Sequence, residues 1–389
     1  MPLVLRLLLS AVACTACLTE DDCSLAGACV QGRCICRAPF TGPTCTLLAT
    51  ARSPVPGLGG YLNQSAWSWG GSPIRGRDDG MFHLFASQLT NGCGLLHYQT
   101  NSEVVHLVSR AAAGPYTFRD VALARRGPGH WDSGTVHGPT IRYDPSRREY
   151  VLFYMSTNFS GPSPVCFGNR SYPPIMVSHS RRIGVAWSKS LDGPWQRADA
   201  PILTPSEEAG AWDAADVSNP APAIADDGSV LLAYRAGGDH VAVGGGIGIA
   251  GAPSYRGPYT RLNHSMLFAA EDAVMWREPA EAGGHLHMLV HAFQGVDGRA
   301  DDNVGGHAWS RDGVLWQYTM EPAYTLRVDW TNGTSTDLYR RERPQLLFGQ
   351  AGKPTHLFNG AQPQYGFDQI DCDFSKPCQT FTMVTALAT

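Results

Sequence analysis

Short apolar stretches, cut by breaks rich in Gly and Asp, recur along the chain in sets of three. The first member of each set begins at Ser72-Pro73-Ile74, Gly138-Pro139-Thr140, Asn219-Pro220-Ala221, Asp272-Ala273-Val274 and Arg343-Pro344-Gln345. The second members cover residues 81–87, 150–156, 230–236, 286–292 and 355–360. The third cover 104–109, 183–188, 247–252, 306–310 and 381–387. Three of the sets then run into Gly-Pro-aromatic: Gly114-Pro115-Tyr116, Gly193-Pro194-Trp195 and Gly257-Pro258-Tyr259. Stretches of this length bounded by turn residues predict strands. Five like sets at uneven spacing predict a five-bladed β-propeller, because five equal units are hard to place in the two sheets of a sandwich. The fifth set has no sequence left for a fourth strand, so residues 60–67 are expected to supply one and close the ring.

A propeller gathers the starts of its inner strands at one central funnel, together with the loops between second and third strands. The five mouths read Trp69-Gly70-Gly71, His137-Gly138, Ser218-Asn219, Glu271-Asp272 and Arg341-Glu342-Arg343. Two adjacent blades therefore bring Glu271, Asp272 and Glu342 together, and Asp216 adds a carboxylate from the blade before. Neighbouring buried carboxylates push their protonation equilibria apart, so that one serves as acid and another as base. Glycoside hydrolysis uses such a pair. His137, Asn219 and Arg343 stand at the mouths as substrate-binding candidates. Trp69, Trp131, Trp212 and Trp276 are candidates to stack on sugar faces. Asp132 and Asp213 follow matching tryptophans, which favours a repeated structural hydrogen bond over chemistry. His285, His287 and His291 alternate along one stretch, but a zinc site would need ligands from elsewhere, and no metal site is expected.

The 43 Gly and 27 Pro of this 389-residue chain fit a turn-rich β protein, and a net charge of -4 gives no case for nucleic acid. Residues 1–16 read as a secretory signal, and no later stretch has the roughly 20 apolar residues of a membrane span. Eleven cysteines and five glycosylation sequons, at Asn63, Asn158, Asn169, Asn263 and Asn332, point to export through an oxidising compartment. Six cysteines crowd residues 17–45, a module too short to hold together without staples. Residues 46–58 read as a linker and 59–389 as the propeller. Cys93 and Cys166 fall in equivalent loops of neighbouring blades and are expected to pair. Cys372 and Cys378 share one loop and are expected to pair locally.

The stretch Cys34-Ile-Cys36, followed by Phe40-Thr41-Gly42 and Cys45, resembles the end of an epidermal-growth-factor-like module. That resemblance implies Cys17–Cys29, Cys23–Cys34 and Cys36–Cys45; spacing alone leaves many pairings open. The segments NSEVVHLVSRAAAGPYTF, RIGVAWSKSLDGPW, SNPAPAIADDGSVLLAYR, GGHAWSRDGVLW and RRERPQLLF together resemble the five-bladed glycoside hydrolases of family 43 and its relatives. More narrowly, the chain resembles secreted proteins that join a small cysteine module to such a propeller. The resemblance implies action on arabinose-, xylose- or galactose-containing glycans, by inversion, with calcium in the funnel of some relatives. One departure matters. Members of that family usually take Asp, Asp and Glu from the first three blades, whereas here the acids lie in the fourth and fifth. Three functions follow: a hydrolase using Glu271 or Asp272 with Glu342, a carbohydrate-binding protein without cleavage, and a protein-binding scaffold. Finding every funnel carboxylate tied up in ion pairs with arginines would sink the hydrolase.

Overall fold

A computed structural model describes residues 16–159, 161–166, 177, 181–208, 210–237, 246–262, 270–292, 304–319, 321–349, 352–363 and 379–388. The expected signal segment, Cys372, Cys378, Asn169 and Asn263 lie outside them.

Among the described residues, five antiparallel sheets of three or four strands, each in simple sequence order, form the blades, and three two-stranded sheets stand beside them. Blade I comprises Ser68–Arg75, Phe82–Leu89, Ser102–Ser109 and Thr117–Leu123. Blade II comprises His137–Asp144, Glu149–Ser156, Arg182–Ser188 and Gln196–Arg197. Blade III comprises Val217–Ile224, Val230–Ala236, Gly246–Ala252 and Thr260–Arg261, and blade IV Ala270–Arg277, Leu286–Ala292, Val304–Ser310 and Gln317–Tyr318. Blade V has three strands, Arg340–Phe348, Pro354–Gln362 and Phe381–Ala386. The inner strands contact one another in the order I to V and back to I, which closes the ring. The five-bladed all-β fold read from the pattern is therefore the fold observed.

Two segments complete the edge of blade V. Tyr61 bridges Thr382, close to where residues 60–67 were expected to close the ring. Thr50 bridges Leu387 as well, and Ser53 bonds Asp329, so part of the stretch read as a linker is pinned to this edge. The core lies between blades. Val151, Phe153, Ile183 and Val185 of blade II pack on Val217, Leu232 and Tyr234 of blade III. Each such side chain contributes about 1.5–3 kcal/mol on burial.

A second device repeats between blades. Trp131 stacks on Tyr154 at 5.8 Å, and the Tyr154 hydroxyl donates to Asp132. Trp212 stacks on Tyr234 at 5.8 Å, and that hydroxyl donates to Asp213. The matching Trp-Asp words are thus structural, and neither tryptophan is left for a sugar.

Among the described residues the disulfides are Cys17–Cys29, Cys23–Cys34, Cys36–Cys45 and Cys93–Cys166. The first three follow the pairing that the resemblance implied. The module they staple is docked on the propeller. Phe40 inserts beside Trp276 and stacks on His307 at 4.6 Å, and Arg37 pairs with Glu278 at 3.2 Å. Of the described sequons, Asn158 and Asn332 are exposed, while Asn63 is half-buried and donates to Gln88.

Candidate active site

In every blade the pairing of the inner strand with the second strand slips near its start. The breaks fall on the inner strand each time, at Trp69/Ser72, His137/Thr140, Ser218/Ala221, Glu271/Val274 and Glu342/Gln345. Each slip is a bulge, and a bulge re-aims a side chain. The re-aimed residue is left-handed in all five blades: Gly70 (φ 65), Gly138 (φ 62), Asn219 (φ 50), Asp272 (φ 56) and Arg343 (φ 52). Gly, Asn and Asp accept this conformation readily. Arg343 does not, and a strained residue of this kind marks a functional constraint.

The constraint is visible in its neighbours. A Cβ on Gly70 would come 3.1 Å from Arg343 Cδ, and one on Gly138 would come 2.5 Å from Arg343 Nη2. The two glycines thus make room for the guanidinium. Its Nη1 donates to Asp272 Oδ1 at 2.7 Å, and Asn219 Nδ2 donates to the same oxygen at 2.7 Å. Three side chains and two glycines fill a fivefold ring.

Above this ring the residues one position earlier, Trp69, His137, Glu271 and Glu342, line a cavity of about 160 Å3. The second strands return to the same end, so Met155 and Arg235, opposite the bulges, join the lining, while His291 stands behind Glu271. Met155 faces His137, Arg235 faces Ser218 and His291 faces Glu271. Tyr98 and Leu95, from the loop after the second strand of blade I, form a further wall.

Each funnel carboxylate has an arginine. Asp272 pairs with Arg343 at 2.7 Å, Glu271 with Arg235 at 3.1 Å, Glu342 with Arg340 at 2.9 Å, and Asp216 with Arg181 at 2.9 Å. The condition set against hydrolysis is therefore met in its contacts, yet pairing does not hold all four carboxyls ionised alike, because Asp272 is raised in spite of Arg343. Asp216 stands behind the cavity and holds Arg181 in its wall. Ligand atoms of Glu271, Asp272, Glu342 and His291 all lie within 4.8 Å of one another.

Protonation differs sharply across this group. Burial pushes Asp272 up; Arg343 opposes this, but Glu271 and Glu342 add to it, and the carboxyl ends well above the usual range. Burial also pushes Glu271 up, but the His291 hydrogen bond and the Arg235 charge outweigh it and hold the carboxyl low. Burial alone would lower His291; Glu342 and Glu271 raise it instead. His137 is driven down by burial and by Arg343 and is a neutral imidazole, bonded to Ser102 at 2.9 Å. The acidic cluster offers donors for calcium, which takes oxygen ligands. Its charge is already matched by Arg235, Arg340 and Arg343, so this floor is built around guanidinium groups.

Trp276 corrects the sequence reading. It lies five residues along the strand from Glu271, about 17 Å at strand rise, and packs with Phe40 and His287 away from the funnel. Of the expected site residues, Trp69, His137, Asn219, Glu271, Asp272, Glu342 and Arg343 converge. Arg181, Arg235, Arg340 and Tyr98 were missed, and His291 was weighed only as a metal ligand, not as a partner of Glu271. Arg235 and His291 close their second strands, so pairing those strand ends with the bulges would have found both.

No protein-family model matches the sequence, and no curated protein matches it. Solved structures do. A family 117 glycoside hydrolase of the marine bacterium Zobellia galactanivorans superposes with a TM-score of 0.57 at 15% identity, over 88% of this chain and 90% of that one. A thermostable family-43 glycoside hydrolase gives 0.55 at 13%, over 87% and 93%. The α-L-arabinofuranosidase of Podospora anserina in complex with cellotriose gives 0.55 at 14%, over 88% and 99%. At such identities the likeness is one of fold.

Proposed function

We propose that the funnel is the active site of a secreted glycoside hydrolase that removes one terminal sugar from an arabinose-containing glycan. The proposal assigns the acid to Asp272 and the base or nucleophile to Glu271. It is carried by three carboxylates from adjacent blades, with atoms within 4.8 Å of one another, in the floor of a cavity. Like charges this close cannot all ionise alike. A hydrolase needs one carboxyl held ionised and one that can give a proton. Arg235 supports the first role for Glu271. At Asp272, burial and two acidic neighbours outweigh Arg343 and support the second.

The spacing favours retention. Inverting enzymes place their carboxyls about 6.5–9.5 Å apart and retaining ones about 5–5.5 Å, and oxygens that approach within 4.8 Å of one another support the shorter arrangement. The cavity, about 160 Å3, equals roughly five waters at ~30 Å3 each, room for a single ring. Trp69 and Tyr98 give it apolar walls, and neutral His137 offers a hydrogen bond. Neighbours named as α-L-arabinofuranosidases, one of them of family 62, motivate the choice of sugar. Four disulfides fit an exported protein, and the N-terminal staples fit an epidermal-growth-factor-like module.

The four arginine pairs favour a second reading, carbohydrate binding without cleavage. One experiment separates the two. The full chain is incubated with arabinan, xylan and galactan oligosaccharides, and released monosaccharide and its anomer are followed by NMR. Hydrolysis predicts release with retained configuration, reduced about 10²–10⁴-fold by Glu271→Gln. No release, with glycan binding unchanged in Glu271→Gln, establishes the second reading.

A further inference from the structure

A second cavity lies at the opposite end of the propeller. Arg75, Arg77, Arg142, Arg147, Arg148 and Lys189 line it, with Asp78 as the one acid in its wall and a volume of about 1330 Å3. An adjoining cavity of about 490 Å3 shares Arg142, Tyr143 and Phe348 with it and adds Arg277. These residues come from the ends of inner strands that begin at the funnel, so they sit on the face away from it.

Only two of these six cations are paired with a carboxylate among the described residues. Arg147 pairs with Asp144 at 3.1 Å, and Lys189 with Glu149 at 3.3 Å. Arg75, Arg77, Arg142 and Arg148 have no carboxylate partner among the described residues. Aromatic rings support two of them: Arg77 lies over Tyr143 at 4.4 Å and Arg75 over Phe82 at 5.8 Å. Arg142 stands at the join of the two cavities. Its Nε and Nη1 donate to Pro222 and Ile141 carbonyls, while Nη2 is buried with no hydrogen-bond partner among the described residues. A chain of net charge -4 thus concentrates positive charge in one recess. Guanidinium groups held on aromatic faces suit planar or tetrahedral oxyanions.

We infer that this groove binds a polysaccharide bearing carboxylate or sulfate groups and tethers the protein to it, leaving the funnel facing outward. A duplex nucleic acid presents a charge every ~1.7 Å and calls for an extended basic track, not one concave recess. A membrane surface would meet apolar side chains at the rim, and none of the exposed large hydrophobic residues lines this groove. The site is independent of the chemistry in the funnel.

The test is affinity electrophoresis of the full chain through gels containing polygalacturonate, a sulfated galactan or neutral arabinan, over a range of salt. Retardation by either polyanion, weakening with salt, is expected, and the two arms decide between carboxylate and sulfate. Arg77→Glu with Arg148→Glu should weaken it at least about tenfold, with thermal melting and binding in the funnel unchanged. The milder Arg148→Gln should weaken it in the same sense if the double variant melts early. Retardation that is absent at low salt, indifferent to these variants, or exceeded by binding to duplex DNA or anionic vesicles overturns the inference.

Discussion

Arg343 is the side chain on which the funnel floor turns, and Arg343→Met isolates its charge while keeping most of its length. In the native protein, Arg343 Nη1 and Asn219 Nδ2 both donate to Asp272 Oδ1 at 2.7 Å, with all three residues buried. Breaking a buried pair by removing one partner costs about 3–5 kcal/mol when the remaining charge persists. A neutral group losing a hydrogen bond costs about 1 kcal/mol. The pH decides which applies. Asp272 is raised in the folded state. Between the ordinary carboxyl range near ~3.9 and its raised value, the folded state binds more protons than the unfolded. Stability therefore falls as pH rises through that window. Loss of Arg343 removes the main force opposing the rise, so the window extends upward in the variant. Urea denaturation at about pH 5 should then show a deficit near the lower figure, and at about pH 8 near the upper one. Asp272→Asn placed on top of Arg343→Met should recover most of the alkaline deficit. A deficit that does not change with pH, or a double variant no more stable than the single, would refute the reasoning.

If Asp272 is the acid, activity should fall on the alkaline side along a limb well above the ordinary carboxyl range, as a pH–rate profile would show; a limb at ordinary carboxyl pH removes Asp272 from that role. Phe40→Ala empties a buried site between Trp276 and His307, at a cost of about 3–5 kcal/mol. It should expose the N-terminal module to limited proteolysis while the propeller stays intact. Removing Cys93–Cys166 with paired serines frees a loop of 73 residues, worth about 4 kcal/mol of unfolded-state entropy, measurable by denaturation under non-reducing conditions.

The strands were legible because a half-buried strand must repeat its apolar pattern whatever its partner. The second strands at 230–236 and 286–292 match the observed Val230–Ala236 and Leu286–Ala292. First strands were read short, since each contains a bulge. The pattern picks up only beyond it, at Ser72 or Asp272, whereas the strands start at Ser68 and Ala270. The mouths were legible for the same topological reason. What stayed hidden was lateral. Arg235 and His291 reach Glu271 from blades III and IV through second strands, and no local word marks that meeting. Trp276 was misread because its closeness in sequence to Glu271 hid the distance that an extended strand puts between them.

The absence of acids in the first two blades now has a physical cause. A fivefold axis has too little room for five side chains. Gly70 and Gly138 leave the space that the Arg343 guanidinium fills, so blades I and II are bare where blade V reaches across. The guanidinium then points at Asn219 and Asp272, which fixes the hydrogen-bonded end of Asp272 toward the axis. Glu271 and Glu342, one residue earlier, are left to line the cavity. Blade positions are equivalent by fold but not by occupancy, because one long cation in the ring dictates which neighbours must be small and which must be acidic. That constraint, more than any match of motif to blade, places the carboxylates of this funnel between blades IV and V.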